Sequence, residues 1–169
     1  MKLTDILPLE KWAELEGEIN QRSGLNAAVS DIDGVRITEL KKWPNRLCPV
    51  IKANKKGQTF ICSAAHQNIA AQAMQTQKPV IEECDAGLVK LVVPIFVGDE
   101  YLGVAGGCGL ILDDGEVESF LISKTTDIDE DEIESLSDDI SKITTDKAES
   151  LVAYIQKEID RIVSDFENK

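Results

Sequence analysis

The hydrophobic pattern centres on a predicted β-hairpin. Every second residue from Val89 to Val97 is aliphatic, and alternation of this length is typical of a strand with one buried face. Gly98 and Asp99 follow, with glycine at the first central position, as a two-residue type II′ turn requires. Residues 101–105 then return as the partner strand.

The register of this hairpin brings cysteines together. If Val97 lies opposite Glu100, then Cys108 lies opposite Val89. Cys84 precedes that level by only a few residues. The pattern therefore predicts that Cys84 and Cys108 meet at one end of the sheet.

The remaining elements follow from apolar periodicity, turn residues and capping residues. Asp33 and Gly34 form the strongest short hairpin signal, and Asn45 is placed to cap a short helix. The predicted helices are Pro8 to Gln21, Asn45 to about Asn54, Thr59 to Gln77, Glu116 to Thr125, a short helix that ends at Leu136, and Thr145 to Phe166. The predicted strands lie near residues 25–31, 35–40, 80–84, 88–97 and 100–110.

These elements predict an α+β fold, with one antiparallel sheet of about five strands flanked by helices. A helix followed by a strand, an Asp-Gly turn and another strand is how many small sensory domains of the PAS and GAF type begin. A chain of 169 residues is most economically one domain with a substantial core.

Charge and hydropathy narrow the function. The formal net charge is −13, which argues against nucleic acid or an anionic membrane as a direct partner. No apolar run approaches the roughly 20 residues of a membrane span, and the N-terminal residues lack the apolar core of a signal peptide. We therefore expect a cytoplasmic protein in a reducing compartment, where cysteines are more often free, metal-bound or redox-active than paired.

The cysteines are the main candidates for chemistry. Cys48, Cys62, Cys84 and Cys108 are too widely separated for a Cys-x-x-Cys pattern. Their predicted placement, on two helices and at neighbouring strand ends, would suit tetrahedral zinc or an iron–sulfur cluster. The single histidine, His66, follows Cys62 by four residues, one turn along the same predicted helix face. The alternative is that all four cysteines are small buried hydrophobic residues.

Two further features have competing interpretations. Gly106 and Gly107 end a strand and permit close approach of a ligand, a metal or a helix, or they mark a β-bulge. Cys62 beside His66 could form a nucleophilic pair, but the sequence contains no recognised catalytic signature. We therefore do not expect an enzyme.

One combination of residues in the middle of the chain is distinctive. It comprises Asp31 to Gly34, Cys48, Cys62, Cys84 to Leu88, Val93 to Ile95, Leu102 with Gly103, and Gly106 with Gly107. With these residues the chain from about Leu9 to Leu112 resembles the PocR sensory domain. The resemblance implies a variant of the PAS-type fold that senses ligands in prokaryotic signalling and is thought to recognise small hydrocarbon derivatives such as diols, and it does not imply catalysis. On this basis we expect residues 1–144 to form the sensory domain and residues 145–169 a C-terminal helix of the same unit.

The chain departs from that family pattern at two places. Many members have Cys-His where this chain has Cys84-Asp85, and Gly-Gln where it has Cys108-Gly109. A glutamine would hydrogen-bond a polar ligand, whereas a cysteine binds metal.

The sequence thus predicts a non-enzymatic sensory domain that binds zinc or an iron–sulfur cluster through the four cysteines. The alternative is a metal-free module with a small organic ligand between sheet and helices. In either case the expected ligand-binding residues are His66, Asp85, Gly106 and Gly107.

The last helix suggests assembly. Its apolar positions form a continuous stripe about 33 Å long, more than a sheet of this size needs for cover. Because monomers avoid large exposed apolar patches, we expect a homodimer and a downstream signalling partner. The expected dimer interface comprises Ile155, Ile159, Ile162 and Phe166.

Overall fold

An antiparallel sheet forms the centre of the computed structural model, which describes residues 1–169. Its strands occur in the order β1-β4-β3-β2. The expected α+β class, with an antiparallel sheet, flanking helices and a long C-terminal helix, is confirmed. The strands are β1 Asn26–Asp31, β2 Val80–Glu83, β3 Val89–Val97, β4 Glu100–Leu112 and β5 Lys142–Ile143, the last of which pairs with β4 in parallel.

Eight α-helices surround the sheet, and one segment is π-helical. Helix α2 ends at Gly24, whose φ of 82° gives a left-handed C-cap, as its position in the sequence indicates. The predicted helix from Thr59 to Gln77 begins instead as a π-helix, Gln58–Ser63. The helices are α1 Leu3–Ile6, α2 Leu9–Ser23, α3 Leu47–Ala53, α4 Lys55–Gly57, α5 Ala64–Thr76, α6 Ser119–Thr126, α7 Glu130–Ser137 and α8 Thr145–Glu167.

The predicted strand at 35–40 is wrong. After the Asp31–Gly34 turn, an isolated bridge joins Ser30 to Arg36, with backbone hydrogen bonds from Asp31 N–H to the Val35 carbonyl and from Ile37 N–H to the Val29 carbonyl. Polar side chains hold the segment as well. The fully buried Glu16 accepts a hydrogen bond from the Thr38 hydroxyl, and its carboxylate lies 3.6 Å from the Arg36 guanidinium.

One face of the sheet forms the main core with α1, α2 and α8. The stripe on α8 belongs to this core, because Ile155, Ile159 and Ile162 are 0%, 2% and 4% exposed within the single chain. The expectation that these three residues form a dimer interface is therefore wrong, since the core of their own chain covers them. A homodimer through another surface stays a prediction.

The opposite face carries two smaller apolar clusters. Ile69 and Ala73 of α5 pack on Val80, Val92 and Val104 of the sheet. The second cluster lies at one end of this face, around Leu47, Ile51, Ile61, Ala86 and Leu88, with further residues from β4, α6 and α7. None of the helices is long and apolar enough to span a membrane.

Candidate functional site

Two glycine bulges interrupt β4, and the first of them sets the face on which Cys108 lies. The β3–β4 register shifts between Ile95 and Phe96 and again between Val89 and Lys90. Gly103 and Gly109 lie at these shifts with φ of 145° and 109°, values that favour glycine.

As a result Cys108 lies opposite Lys90. The predicted pairing with Val89 is wrong, because it assumed a hairpin without bulges. Val89 points into the main core. The bulge therefore moves Cys108 from the core face of the sheet to the opposite face.

That opposite face is the floor of the candidate site. Cys108 pairs with Lys90 on one side and with Asn26 on the other, while Gly106 pairs with Val92 and with Ala28. Paired residues in a ladder share a face of the sheet. Small and polar side chains therefore lie side by side below α3, the π-helix and α5.

Asn45 holds Cys48 over this floor. Its Oδ1 accepts a hydrogen bond from the Cys48 backbone N–H at 2.7 Å, which confirms its capping role at the start of α3. Its Nδ2 donates to the Gly109 carbonyl oxygen at 2.7 Å and lies 3.2 Å from Cys48 Sγ. One buried amide thus ties α3 to the end of β4.

Cys84 begins a tight turn. The Gly87 N–H donates to the Cys84 carbonyl oxygen and the Cys84 N–H to that of Leu88, both at 2.9 Å. Burial raises the pKa of the Cys84 thiol, and the backbone amides of Leu88 and Ala86 lower it by a smaller amount. Asp85 is exposed on the outside of the turn.

Cys62 occupies the π-helical segment, and His66 follows in the first turns of α5. Short π-helical stretches occur frequently at functional sites. Burial raises the pKa of Cys62 to about 11 and lowers that of His66 to about 4. At neutral pH both groups are therefore uncharged, and they do not form the thiolate–imidazolium pair of an activated nucleophile.

The four thiols lie within electrostatic range of one another. Burial raises the pKa of Cys48 to about 12, and Cys108, Cys84 and Cys62 raise it further. Cys108 and Cys84 likewise raise the pKa of Cys62, and Cys108 raises that of Cys84. All four cysteines are free. No three His, Cys, Asp or Glu side chains, however, converge closely enough to hold a single metal ion.

His66, four residues after Cys62 in the helical segment, has an unsatisfied ring nitrogen. Its Nε2 is the one buried side-chain nitrogen or oxygen atom without a hydrogen-bond partner. The ring lies against Gly34, where an added Cβ would approach His66 Cδ2 to 3.1 Å. Burial has the largest effect on the pKa of the imidazole, Lys90 and Lys52 lower it further, and Asp31 raises it.

The two predicted glycines have different surroundings. A Cβ on Gly106 would come within 1.9 Å of the Leu91 carbonyl oxygen, so the sheet itself requires glycine there. A Cβ on Gly107 would meet Leu25 Cβ at 2.9 Å, on the side of the main core. Gly106 thus belongs to the floor, whereas Gly107 packs away from it.

Sequence reasoning missed Lys90, Lys52 and Gly34 as neighbours of the site. Lys90 had a recognisable signal, since it is a cation in the middle of an aliphatic strand. Lys52 and Gly34 had none, because their placement depends on tertiary packing.

An open cleft of about 1020 Å³ lies elsewhere, between α2 and α8. Its lining mixes lysine, arginine and glutamate with a few apolar residues, and it contains no thiol. Because this cleft contains no thiol, we take the thiol site, and not the cleft, as the functional candidate.

Comparison with known proteins gives one match. A family model described as "Sensory domain found in PocR" matches residues 5–165. No curated protein and no solved structure matches the chain.

Proposed function

Because this chain belongs to the family of PocR sensory domains, we propose that it is a ligand-sensing signalling module whose four thiols hold an iron–sulfur cluster. The observation that carries the proposal is the convergence of Cys48, Cys62, Cys84 and Cys108 from four separate segments. After the larger effect of burial, the other three thiols raise the pKa of Cys48, and Cys108 also raises the pKa values of Cys62 and Cys84. In this role the domain binds and signals and has no catalytic function.

The absence of a three-ligand group that could hold one metal ion argues against a single zinc ion at the thiols. Four sulfurs bound to one zinc ion at about 2.3 Å lie only about 3.8 Å apart. In this chain no three such ligands approach that arrangement, although all four thiols are neighbours. A four-iron cluster, in which each cysteine binds a different iron, holds its thiolates farther apart.

The surroundings also suit thiolates bound to iron. Burial raises the pKa of the Cys84 thiol while the backbone amides of Leu88 and Ala86 lower it, and the Asn45 amide lies 3.2 Å from the Cys48 sulfur. Such hydrogen bonds stabilise negative charge on sulfur and tune a cluster. Lys52 and Lys90 lower the pKa of Cys62 and so balance part of that charge. A bound cluster would supply sensitivity to oxidants or redox state.

The test is purification without oxygen, followed by visible absorption and by iron, sulfide and zinc analysis. We expect a brown protein, as isolated or after reconstitution, and a loss of colour in Cys84→Ser. Ser63→Ala, beside Cys62 in the π-helix, is the matched control and should keep the colour. Protein that stays colourless and iron-free after reconstitution contradicts the proposal. Stoichiometric zinc without iron also contradicts it and would indicate a zinc ion at the thiols.

A second candidate is a metal-free module for a small hydrocarbon derivative. It is favoured by the packing of Cys48, Cys62 and Cys84 against the apolar cluster around Leu47 and Ile51. In that case a diol should raise the unfolding temperature in the presence of a chelator, and Cys→Ser changes should weaken binding only mildly. An effect of the diol that disappears with the chelator would contradict this candidate.

The proposal includes a location and partners. Four free thiols that must stay reduced fit a cytoplasmic protein. Signal output would require a downstream signalling protein, and a homodimer is the assembly we propose for it.

A further inference from the structure

A short connector joins α7 to α8 at the edge of the sheet. It comprises residues 138–144 and contains β5. Ile140 is buried in the apolar cluster that packs against the thiols, whereas Ile143 is buried in the main core. The connector thus passes from the thiol side of the sheet to the main core immediately before the C-terminal helix begins.

Strand β4 holds one side of this connector. The Ile111 N–H donates to the Ser141 carbonyl oxygen at 3.0 Å, and the Asp113 N–H donates to that of Ile143 at 2.8 Å. The Asp113 carboxylate also accepts a hydrogen bond from the Thr145 N–H at 2.7 Å. The connector and the first residue of α8 are therefore attached to the strand that carries one of the four thiols.

Arg46, at the start of α3, holds the other end of the connector. Its guanidinium donates to the Ser135 carbonyl oxygen at 2.9 Å, to the Asp138 carboxylate at 2.6 Å and to the Asp139 carboxylate at 3.2 Å. These acceptors belong to the last turn of α7 and to the two residues after it. Arg46 is the N-cap of α3 and precedes Cys48 by two residues, so the cation and the thiol lie at the start of the same short helix.

The end of α7 depends on this cation from another helix. The carboxyl end of a helix carries partial negative charge, which basic side chains normally offset. Helix α7 has no basic residue in its last turn, and Asp138 and Asp139 add two negative charges just beyond it. Arg46 supplies the positive charge and also a donor for an otherwise unpaired helix carbonyl. A guanidinium shared by two carboxylates and a carbonyl forms a network, which holds better than an isolated surface pair.

We propose that Arg46 couples the thiol site to the connector, so that occupancy of the site controls how firmly the start of α8 is held. A group bound at Cys48 fixes α3, which keeps the guanidinium on α7 and the connector on β4. In the empty site α3 opens more often, and each opening removes the cation from α7 and loosens the connector. This inference concerns the regulation of the proposed sensory site, and it rests on the sensory role but not on iron.

The first experiment measures amide hydrogen exchange in the full chain without a cluster. We expect Arg46→Met to speed exchange at residues 138–144 about threefold to fivefold, as for loss of a surface charge network. The amides of β3 are the internal reference for global opening. Lys56→Met is the matched control, because Lys56 forms a similarly exposed ion pair with Asp127, at the end of α6, and it should leave the connector unchanged. Equal exchange of the connector in the wild type and Arg46→Met would overturn the proposal.

A double-mutant cycle tests whether the thiol end of α3 acts through Arg46. Asn45→Ala removes the side-chain contacts with the Cys48 N–H and the Gly109 carbonyl oxygen, and it should also speed exchange of the connector relative to β3. In the Arg46→Met background the same change should add nothing. No effect of Asn45→Ala, or full additivity of the two changes, contradicts the proposal, since additivity would mean that α3 acts by another route.

Iron-loaded protein separates this inference from the cluster. Its connector should exchange more slowly than that of the iron-free protein, and the difference should disappear in Arg46→Met. A protein that takes up no iron but shows the coupling in the cycle contradicts only the cluster. A brown protein whose connector exchange depends neither on iron nor on Arg46 contradicts only the coupling.

Discussion

Asn45 donates a hydrogen bond from its side-chain amide to the carbonyl oxygen of Gly109 at 2.7 Å, across 64 residues of sequence. Through this contact the short helix with Cys48 is fixed relative to the strand end with Cys108. A change at Asn45 should therefore separate the two thiols as well as uncap the helix.

Asn45→Ala should lower the free energy of unfolding by about 1–2 kcal/mol and weaken metal uptake by the thiols. The matched control is Asn54→Ala. Asn54 also caps a helix, through Gly57 N, and also donates to a distant carbonyl, that of Thr126 at 3.0 Å. Urea unfolding should show similar losses in both variants, with metal uptake reduced only in Asn45→Ala. Equal metal uptake in the two variants would show that Asn45 has no role at the thiols.

Gly109→Ala should be more destabilising than Gly98→Ala. Both glycines have positive φ, 109° and 59°. An added Cβ at Gly109, however, would lie 2.4 Å from Pro44 Cγ, whereas nothing lies within 4 Å of one at Gly98. We expect losses of about 2–4 kcal/mol for Gly109→Ala and about 1 kcal/mol for Gly98→Ala. Equal midpoints in urea would mean that the Pro44 contact relaxes without cost.

Alkylation of Cys48 and Cys62 by iodoacetamide should be slow at pH 7 in the metal-free protein. Their pKa values of about 12 and 11 keep both thiols protonated, and the thiolate is the reactive form. The rate should rise as the pH increases towards 10, and mass spectrometry of peptides would give the rate at each cysteine. The urea-unfolded chain is the control and should react faster at every pH. Rapid labelling of folded Cys62 at pH 7 would restore the nucleophile hypothesis.

His66 should make the folded protein less stable in mild acid. Its pKa falls from 6.5 to about 4 on folding, so between these values the unfolded state binds more protons and stability decreases as the pH falls. This loss of folding stability is complete near pH 4 and amounts to roughly 2 kcal/mol after allowance for the partial exposure of His66.

Chemical unfolding at several pH values would measure this effect. His66→Gln removes the titration, and all carboxylates are common to both proteins. The stability difference between wild type and variant should therefore change between pH 7 and pH 5. A constant difference would show that His66 keeps its ordinary pKa.

Ile159→Asp should unfold the chain rather than dissociate an assembly. Ile159 is 2% exposed in the main core, and a buried carboxylate there costs about 4 kcal/mol or more. Ala153→Asp places the same charge on an exposed position of α8 and should be almost neutral. Circular dichroism with light scattering would separate the outcomes. If the wild type is a dimer and Ile159→Asp is a folded monomer, the apolar stripe of α8 forms an interface and our interpretation is wrong.

The regular elements of this fold were readable from the sequence because their signals are local. Alternation predicted β3, and Pro8 and Gly24 bracket α2 nearly as expected. The sequence could not show that residues 35–40 form no regular strand, because polar residues of this segment are held by Glu16, which lies on a helix earlier in the chain.

The thiol site was only partly predictable for a similar reason. The sequence indicated that Cys84 and Cys108 approach each other, but the face on which Cys108 lies depends on the bulge at Gly103. A bulge changes the side of every residue beyond it. Glycines in a strand can mark a bulge, but the sequence does not show that Gly103 and Gly109, and not Gly106 or Gly107, take that role.

The π-helical segment from Gln58 to Ser63 makes the site sensitive to single-residue insertions and deletions. A π-turn holds one residue more than an α-turn. The removal of one residue from this segment would let the helix continue as an α-helix into α5, with the upstream part rotated by about 100°. Related chains that differ by one residue here should therefore present Cys62 at a different angle to His66, even where both residues are retained.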